Sequence, residues 1–381
     1  MSGRRFLHTV YSIISIGLLL IFLQCDYLVY PKKEKEPVWH IYFNKSVDNA
    51  YSNGTEITGN VRIDLKLSDR ILAAESSIDF CFYNIESDTI ISTLIKAYNN
   101  QIRVRVITDD KYLDKVTLLV LLGIPVISDS AGGIYISKDM HNKFAIFDKE
   151  WVWTGSYNAT ENGTFGNANN VIEFNSAEIA TAFTIEFEEM WGSPINLPNE
   201  ELAKFHTQKS DNINHLFELD GYPIEIYMSP SDLTKDAILS AIATADYEIY
   251  FCIFSFTDDS ISAAMEMQLS DFPGLTIMGV FDETQAGSQY SEFHKMETWG
   301  DRVVVRVDAV TDTAGTEKFL HHKYLLIDAE HPDSDPVLIT GSTNWSNNGF
   351  SYNDENLIVS YHPDMVNSYL QEFMARFEEG E

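Results

Sequence analysis

The chain has 381 residues, 45% of them hydrophobic and 13% aromatic, enough for a large core or two ordinary domains and unlike a disordered or fibrous protein. Its 57 acidic against 26 basic side chains leave a formal net charge of −31. Such a surface repels nucleic acid at long range and disfavours anionic membranes, which lowers the expectation of a polyanionic partner without determining the fold.

Arg4 and Arg5 precede an apolar stretch, residues 10–23, broken only by Ser12, Ser15 and Gly17. It is shorter than the roughly 20 apolar residues of a spanning helix, so residues 1–25 read as an export signal. Cys25 closes the stretch and resembles the lipidated cysteine of a bacterial lipoprotein signal, although Gln24 stands where such signals usually carry a small residue. A retained anchor and a secreted product are the alternatives, and each places residues 30 onward outside the cytosol. Residues 26–38, charged and bounded by Pro31 and Pro37, read as a tether.

The rest of the chain repeats itself. A helix-like stretch at 67–76 leads into Ile78-Asp79-Phe80-Cys81-Phe82-Tyr83-Asn84, a buried strand by composition. A second helix is expected from Asp88 and a second strand at 102–107. The other half runs in the same order: a helix at 235–246, the strand Ile249-Tyr250-Phe251-Cys252-Ile253-Phe254-Ser255, a helix from Asp259 and a strand at 275–280. This alternation predicts an α/β fold with a largely parallel sheet covered on both faces. Amphipathic helices at 183–191 and 369–377 close the halves with Glu186-Phe187 and Glu372-Phe373 at like positions. Residues 193–221, rich in Pro, Asn and charge, read as a linker between lobes 39–192 and 222–381. A period of roughly 180 residues is a duplicated domain, far longer than a solenoid repeat. Cys81 and Cys252 lie in apolar runs and are expected as buried free thiols, and no Cys/His spacing suits a metal or other cofactor.

The chemistry-bearing residues fall at equivalent places. Met140-His141-Asn142-Lys143 leads to Asp148, and Leu320-His321-His322-Lys323 leads to Asp328. Each His-x-Lys is followed by a Gly-Ser-x-Asn, Gly155-Ser156-Tyr157-Asn158 and Gly341-Ser342-Thr343-Asn344. On a strand, residues two apart share a face, so His141 with Lys143, and His321 with Lys323, are expected to point together. A turn at 148–150 then makes a hairpin that returns Ser156 and Asn158 to the same site. Two lysines suit the oxygens of a phosphodiester, and Ser156, Ser342, Asn158 and Asn344 add neutral donors. One neutral imidazole can attack phosphorus while the other, protonated, serves the leaving oxygen. Asp148 and Asp328 stand beside turns, where a structural role is expected. His322 is expected on the opposite strand face from His321, as a packing or surface residue. Trp345 could line the pocket or the core.

The duplicated motif resembles the phospholipase D superfamily over about residues 39–377. The resemblance implies two pseudo-symmetric lobes, each a mixed sheet flanked by helices, with both motifs in one cleft at their interface and one histidine phosphorylated in turnover. It also implies an acidic residue hydrogen-bonded to a catalytic histidine. Glu355 stands thirteen residues after Ser342; the corresponding residue after Ser156 is the amide Asn169, with Glu173 out of register as an alternative. A carboxylate beside His321 would suit a proton donor, and an amide beside His141 would suit a neutral nucleophile. The tyrosyl-DNA phosphodiesterase branch is similar in this asymmetry, with a first-lobe nucleophile. His141 is therefore expected as nucleophile and His321 as general acid.

Three functions compete. A phospholipase D releasing a phospholipid head group, such as that of phosphatidylcholine, fits the export signal and the acidic surface, with membrane association through the N-terminus. A superfamily nuclease would use the same parts but is disfavoured by net charge, and phosphatidyl transfer is a lesser variant. A catalytically inactive binder of a phosphate-bearing ligand is the third. Both motifs lie in one chain, so a monomer suffices.

Overall fold

The computed structural model describes residues 38–131, 138–308, 318–331 and 333–380. The expected export signal and nearly all of the tether lie outside these residues, and among those described no helix is long and apolar enough to cross a membrane.

Two sheets organise the chain. The first contains β1 (Trp39–Phe43), β2 (Ser77–Phe82), β3 (Arg103–Thr108), β4 (Val126–Ser128), β5 (Lys143–Phe147), β6 (Trp151–Gly155) and β7 (Asn170–Asn175), in the order β1-β7-β6-β5-β2-β3-β4. The second contains β8 (Leu216–Leu219), β9 (Tyr222–Ser229), β10 (Glu248–Ile253), β11 (Thr276–Asp282), β12 (Val303–Asp308), β13 (Lys323–Ile327), β14 (Val337–Gly341) and β15 (Glu355–Ser360). Its order, β12-β11-β10-β13-β14-β15-β9-β8, is that of the first sheet with β8 added outside β9. The duplication read from the sequence is thus a duplication of topology. Part of the presumed linker, 216–219, is sheet edge.

The largely parallel sheet expected from the alternation of elements is corrected to a mixed one. Only β2–β3–β4 and β10–β11–β12 pair in parallel. The His-x-Lys strands β5 and β13 insert antiparallel beside β2 and β10, and their hairpin partners continue antiparallel. The strands that follow β4 and β12 fold back on their neighbours, and β6–β7 and β14–β15 pair antiparallel although the short helices 162–166 and 347–351 stand between them.

Asp148 and Asp328 make those turns and hold more than the turn itself. Both adopt a left-handed backbone, φ 55° and 49°. The Asp148 carboxylate accepts the N–H groups of Glu75, Ser76 and Ser77 at 2.7–2.9 Å, and that of Asp328 accepts Asp246, Tyr247 and Glu248 at 2.9–3.1 Å. Each aspartate therefore pins the loop entering the central strand of its lobe.

One core, including Phe144, Phe183, Phe187, Tyr324, Tyr369 and Phe373, takes residues from both lobes; two others fill the outer faces. The helix Pro363–Glu379 is buried without interruption from Met365 to Phe377, because it packs on its own sheet and on β1 of the first. The helix Ala177–Trp191 holds the equivalent place on β2, β5 and β6.

Asp328 is fully buried, so Asp328→Ala leaves three N–H groups without their acceptor and is expected to cost about 3 kcal/mol. Urea denaturation at neutral pH checks this; a midpoint equal to wild type contradicts it. Asp148, whose carboxyl is held below the usual range against the opposing effect of burial by those same N–H donors, gives stability at neutral pH that is lost as pH falls toward and below about 4.

Candidate active site

A cleft of about 650 Å³ opens where the two lobes meet, and His141 and His321 both line it. Neither imidazole is on a regular strand: β5 and β13 begin at Lys143 and Lys323, and each histidine sits on the segment leading in. Two bridges place those segments, Met140 to Asp354 and Ala168 to Leu320, each running between lobes. The His321 N–H also donates to the Ala168 carbonyl at 3.0 Å. The lysines lie beneath, each donating to the carbonyl of its own motif histidine, Lys143 to His141 at 2.6 Å and Lys323 to His321 at 2.7 Å. Their Nζ atoms lie 5.2 Å from the centre of the Tyr83 ring and 5.0 Å from that of Phe254, two rings at matching places after β2 and β10.

The orienting partners are crossed relative to the sequence-based expectation. Glu355 Oε1 lies 2.7 Å from His141 Nδ1, not beside His321. Asn169 Oδ1 lies 3.0 Å from His321 Nδ1, not beside His141, and the Ser156 carbonyl is 2.9 Å from the same nitrogen. The inter-lobe bridges explain the exchange: Asp354 and Ala168 dock against the opposite lobe, so the next residue in each case meets the opposite histidine. Glu173, the out-of-register alternative, pairs with Arg70 instead.

The crossing fixes the tautomer at His321. Asn169 Nδ2 donates to the Gly163 carbonyl at 2.9 Å, so its oxygen faces His321, whose Nδ1 meets only acceptors and carries a hydrogen. His141 Nδ1 faces Glu355 and carries the hydrogen when that carboxyl is ionised. Both Nε2 atoms are left for the cleft.

Ser156 and Ser342, candidates for substrate contact or for supporting the turn, are fully buried. Ser156 donates to Asn169 Oδ1 at 3.0 Å and Ser342 to Glu355 Oε2 at 2.6 Å. Each also accepts a backbone N–H, from Asn170 at 3.1 Å and from Asn356 at 3.0 Å. They hold the orienting residues. The preceding glycines are required: a Cβ on Gly155 or Gly341 would come within 2.3 Å of the Asn170 or Asn356 carbonyl. Asn158 and Asn344 do line the cleft. Asp148 and Asp328 do not, and Trp345 is packed in the core against Phe251 and Phe256.

His322, expected as a packing or surface residue, is a packing residue. It is fully buried, 3.0 Å from Asn170 Oδ1 and 3.0 Å from Glu372 Oε1. The like placement of Glu186 and Glu372 in the repeat was the available signal. Two carboxylate groups could gather a cation, Asp211 with His215 and Asp232, and Asp109 with Asp110 and Asp129; none of these residues lines the cleft.

Electrostatically the cleft favours an anion. Burial and the charges of Lys143 and Lys323 hold both imidazoles well below their usual range. Burial lowers Lys143 to about 8 and Lys323 well below normal, and raises Glu355 to about 8. An anion between the lysines relieves each of these stresses on positive charge.

The family model described as "Cardiolipin synthase, PLD-like domain" matches residues 67–191 and 238–377. The mitochondrial cardiolipin hydrolase of Mus musculus is 35% identical over 130 residues, 33% of this chain and 57% of that protein. A phospholipase D of Rickettsia bellii is 33% identical over 151 residues, 39% of this chain and 66% of that protein. The chain therefore spans less than two thirds of either relative. The phosphatidylserine synthase of Haemophilus influenzae shares the fold, with a TM-score of 0.61 at 12% identity over 90% of this chain and 87% of that one.

Above pH about 8, Lys143 loses its charge while Glu355 gains one, so affinity for inorganic phosphate is expected to fall steeply there. Calorimetric titration between pH 6 and 9.5 measures it; affinity that stays flat across that range contradicts the assignment of these groups to the anion site.

Proposed function

The chain belongs to the phospholipase D superfamily, and on that footing we propose that it hydrolyses a phospholipid head group through a phosphohistidine on His141. The observation that carries the proposal is the pair of Nε2 atoms left free in one cleft over two buried lysines.

The roles follow from where charge develops. Attack by neutral His141 Nε2 on phosphorus makes its ring cationic, and the Glu355 carboxylate at Nδ1 stabilises that cation. His321, whose Nδ1 is held by a carbonyl and an amide oxygen with no carboxylate, is a weaker base and hence a stronger acid when protonated. An anion in the cleft offsets the lysine charge on His321, so the proton that burial keeps on Glu355 has a place to go. The bond from His141 to phosphorus forms as the bond from phosphorus to the alcohol oxygen breaks, and His321 gives its proton to that oxygen. His321 then takes a proton from water, whose oxygen attacks phosphorus and releases His141. The sequence-based assignment of roles is thus kept, on the opposite placement of carboxylate and amide. Lys143, Lys323, Asn158 and Asn344 hold the phosphate oxygens.

The cleft wall favours lipid over nucleic acid. It is lined by neutral amides, among them Asn84, Asn162, Asn167, Asn348 and Asn353, and by aromatic rings, among them Tyr83, Tyr112, Phe254 and Phe319. Lys111 and Lys115, beside it, are paired with Asp139 and Glu86. The segment that supplies Tyr112 continues into exposed Leu118, Val120, Leu121 and Leu122, an apolar surface suited to a lipid phase. We further propose that residues 38 onward act outside the cytosol, held at a membrane by the N-terminal segment with Cys25.

The test is incubation with phosphatidylcholine vesicles and, separately, with single-stranded and plasmid DNA, in EDTA. Head-group release without DNA nicking is expected, falling by on the order of 10²–10⁴-fold or more in His141→Ala and in His321→Ala. Nicking without release makes the protein a nuclease; near-normal turnover by either variant moves the site elsewhere.

A further inference from the structure

Behind the cleft, each lobe repeats a buried polar lattice. In the second lobe His322, between His321 and Lys323, meets Asn170 and Glu372; Asn170 Nδ2 donates to Thr340 Oγ1 at 2.8 Å, and Arg376 Nε lies 3.2 Å from Glu372. In the first lobe Asn142, between His141 and Lys143, lies at the same place. Asn356 Nδ2 donates to its Oδ1 at 2.9 Å, Thr154 donates to Asn356 Oδ1 at 2.7 Å, and Glu186 Oε1 lies 3.5 Å from Asn142 Nδ2. The amide, threonine and glutamate correspond; the Tyr324 and Tyr369 hydroxyls, replaced by Phe144 and Phe183, and the cation do not. Arg376 follows Glu372 by four residues, whereas the residue four after Glu186 is Met190.

The missing charge comes from the segment read as a linker. Lys209 is fully buried at its side chain, with Nζ paired to Glu186, 3.0 Å from Asp354 Oδ1 and 2.7 Å from the Ser229 carbonyl. His206 adds its N–H to Asp354 Oδ1 at 2.8 Å and its ring to Asp129 at 3.3 Å. Asp354 in turn gives its own N–H to the Asp139 carbonyl at 3.0 Å and bridges Met140. The neighbours of Glu355 on both sides, Asp354 and Asn356, are thereby tied to the neighbours of His141 on both sides, Met140 and Asn142.

We propose that Lys209 is a positioning residue for the His141–Glu355 pair, a cation lent by the inter-lobe segment to the lobe whose own helix lacks one. It touches neither substrate nor imidazole. Through Glu186 and Asp354 it holds the two chain segments that bring the carboxylate to Nδ1. The inference takes the importance of that pair from the proposed reaction, but its geometry can be tested without turnover.

In the full chain labelled with ¹⁵N-histidine, the His141 Nδ1 proton bound to a carboxylate gives a far-downfield resonance, identified by its loss in His141→Ala. Lys209→Met is expected to move or broaden it and to lower kcat on bis(p-nitrophenyl) phosphate roughly ten- to a hundredfold with little change in KM. Lys209→Arg should retain both, and adding Met190→Arg to Lys209→Met should recover part of each. Asp354→Asn, which keeps the side-chain volume, should disturb the resonance in the same way and serves if Lys209→Met does not fold. An unchanged resonance in Lys209→Met or Asp354→Asn, with only a lower unfolding midpoint, overturns the inference. A wild-type protein inert toward the diester, but with a Lys209-dependent resonance, sinks the proposed reaction and leaves the positioning role standing.

Discussion

The site depends on hydrogen bonds that cross between the lobes. Glu355 belongs to one half and His141 to the other; Asn169 and His321 repeat the arrangement in reverse. Each imidazole is therefore aimed by a residue that its own lobe does not contain. Separation of the halves by even an ångström would free both rings at once, which is why so much buried polar structure lies at this seam. A helix buried from Met365 to Phe377 and a core shared by both sheets resist that separation with apolar area. The lattices around Asn142 and His322 resist it with bonds that leave a buried group unsatisfied if the halves slide.

The pseudo-symmetry is close in topology and loose in charge, and the looseness is where the chemistry lies. Two equivalent imidazoles with equivalent partners would have equal claims to attack phosphorus. Carboxylate on one side and amide on the other break the tie. In the proposed reaction Glu355 favours a cationic ring at His141, the state reached after attack, and Asn169 with the Ser156 carbonyl leaves His321 the better proton donor. A second asymmetry, Arg376 on a helix against Lys209 on the connecting segment, supports the same distinction from behind.

Much of this was legible in the sequence. The duplicated strands and both hairpins lie where the pattern put them, because strand composition is a local property, although β5 and β13 begin only at the lysines of the His-x-Lys motifs. Two features escaped for one physical reason. The crossing of Glu355 and Asn169, and the choice between substrate contact and support for Ser156 and Ser342, depend on which segments dock across the lobe interface, and spacing within a half carries no record of that. The parallel sheet was over-read because the later strands of each half pair antiparallel even where a short helix intervenes. His322 is the packing residue of the two alternatives its strand position left open, and Lys209 carried no signal in its segment; their burial is made tolerable by Glu372, Glu186 and Asp354, acids distant in the chain. The acidic composition, by contrast, said little about the site, where two buried lysines dominate locally.

The most direct measurement is the identity of the residue that carries phosphorus during turnover. Acid-labile phosphohistidine trapped by rapid denaturation, digested under alkaline conditions and located by mass spectrometry should fall on the peptide containing His141. It should be lost in His141→Ala. It should accumulate in a variant of His321 when the leaving group is p-nitrophenolate, which departs without a proton, because the water step then lacks its base. Phosphorus on His321 in the native enzyme would contradict the account, since it would place the developing cation beside the amide and leave Glu355 without the role assigned to it.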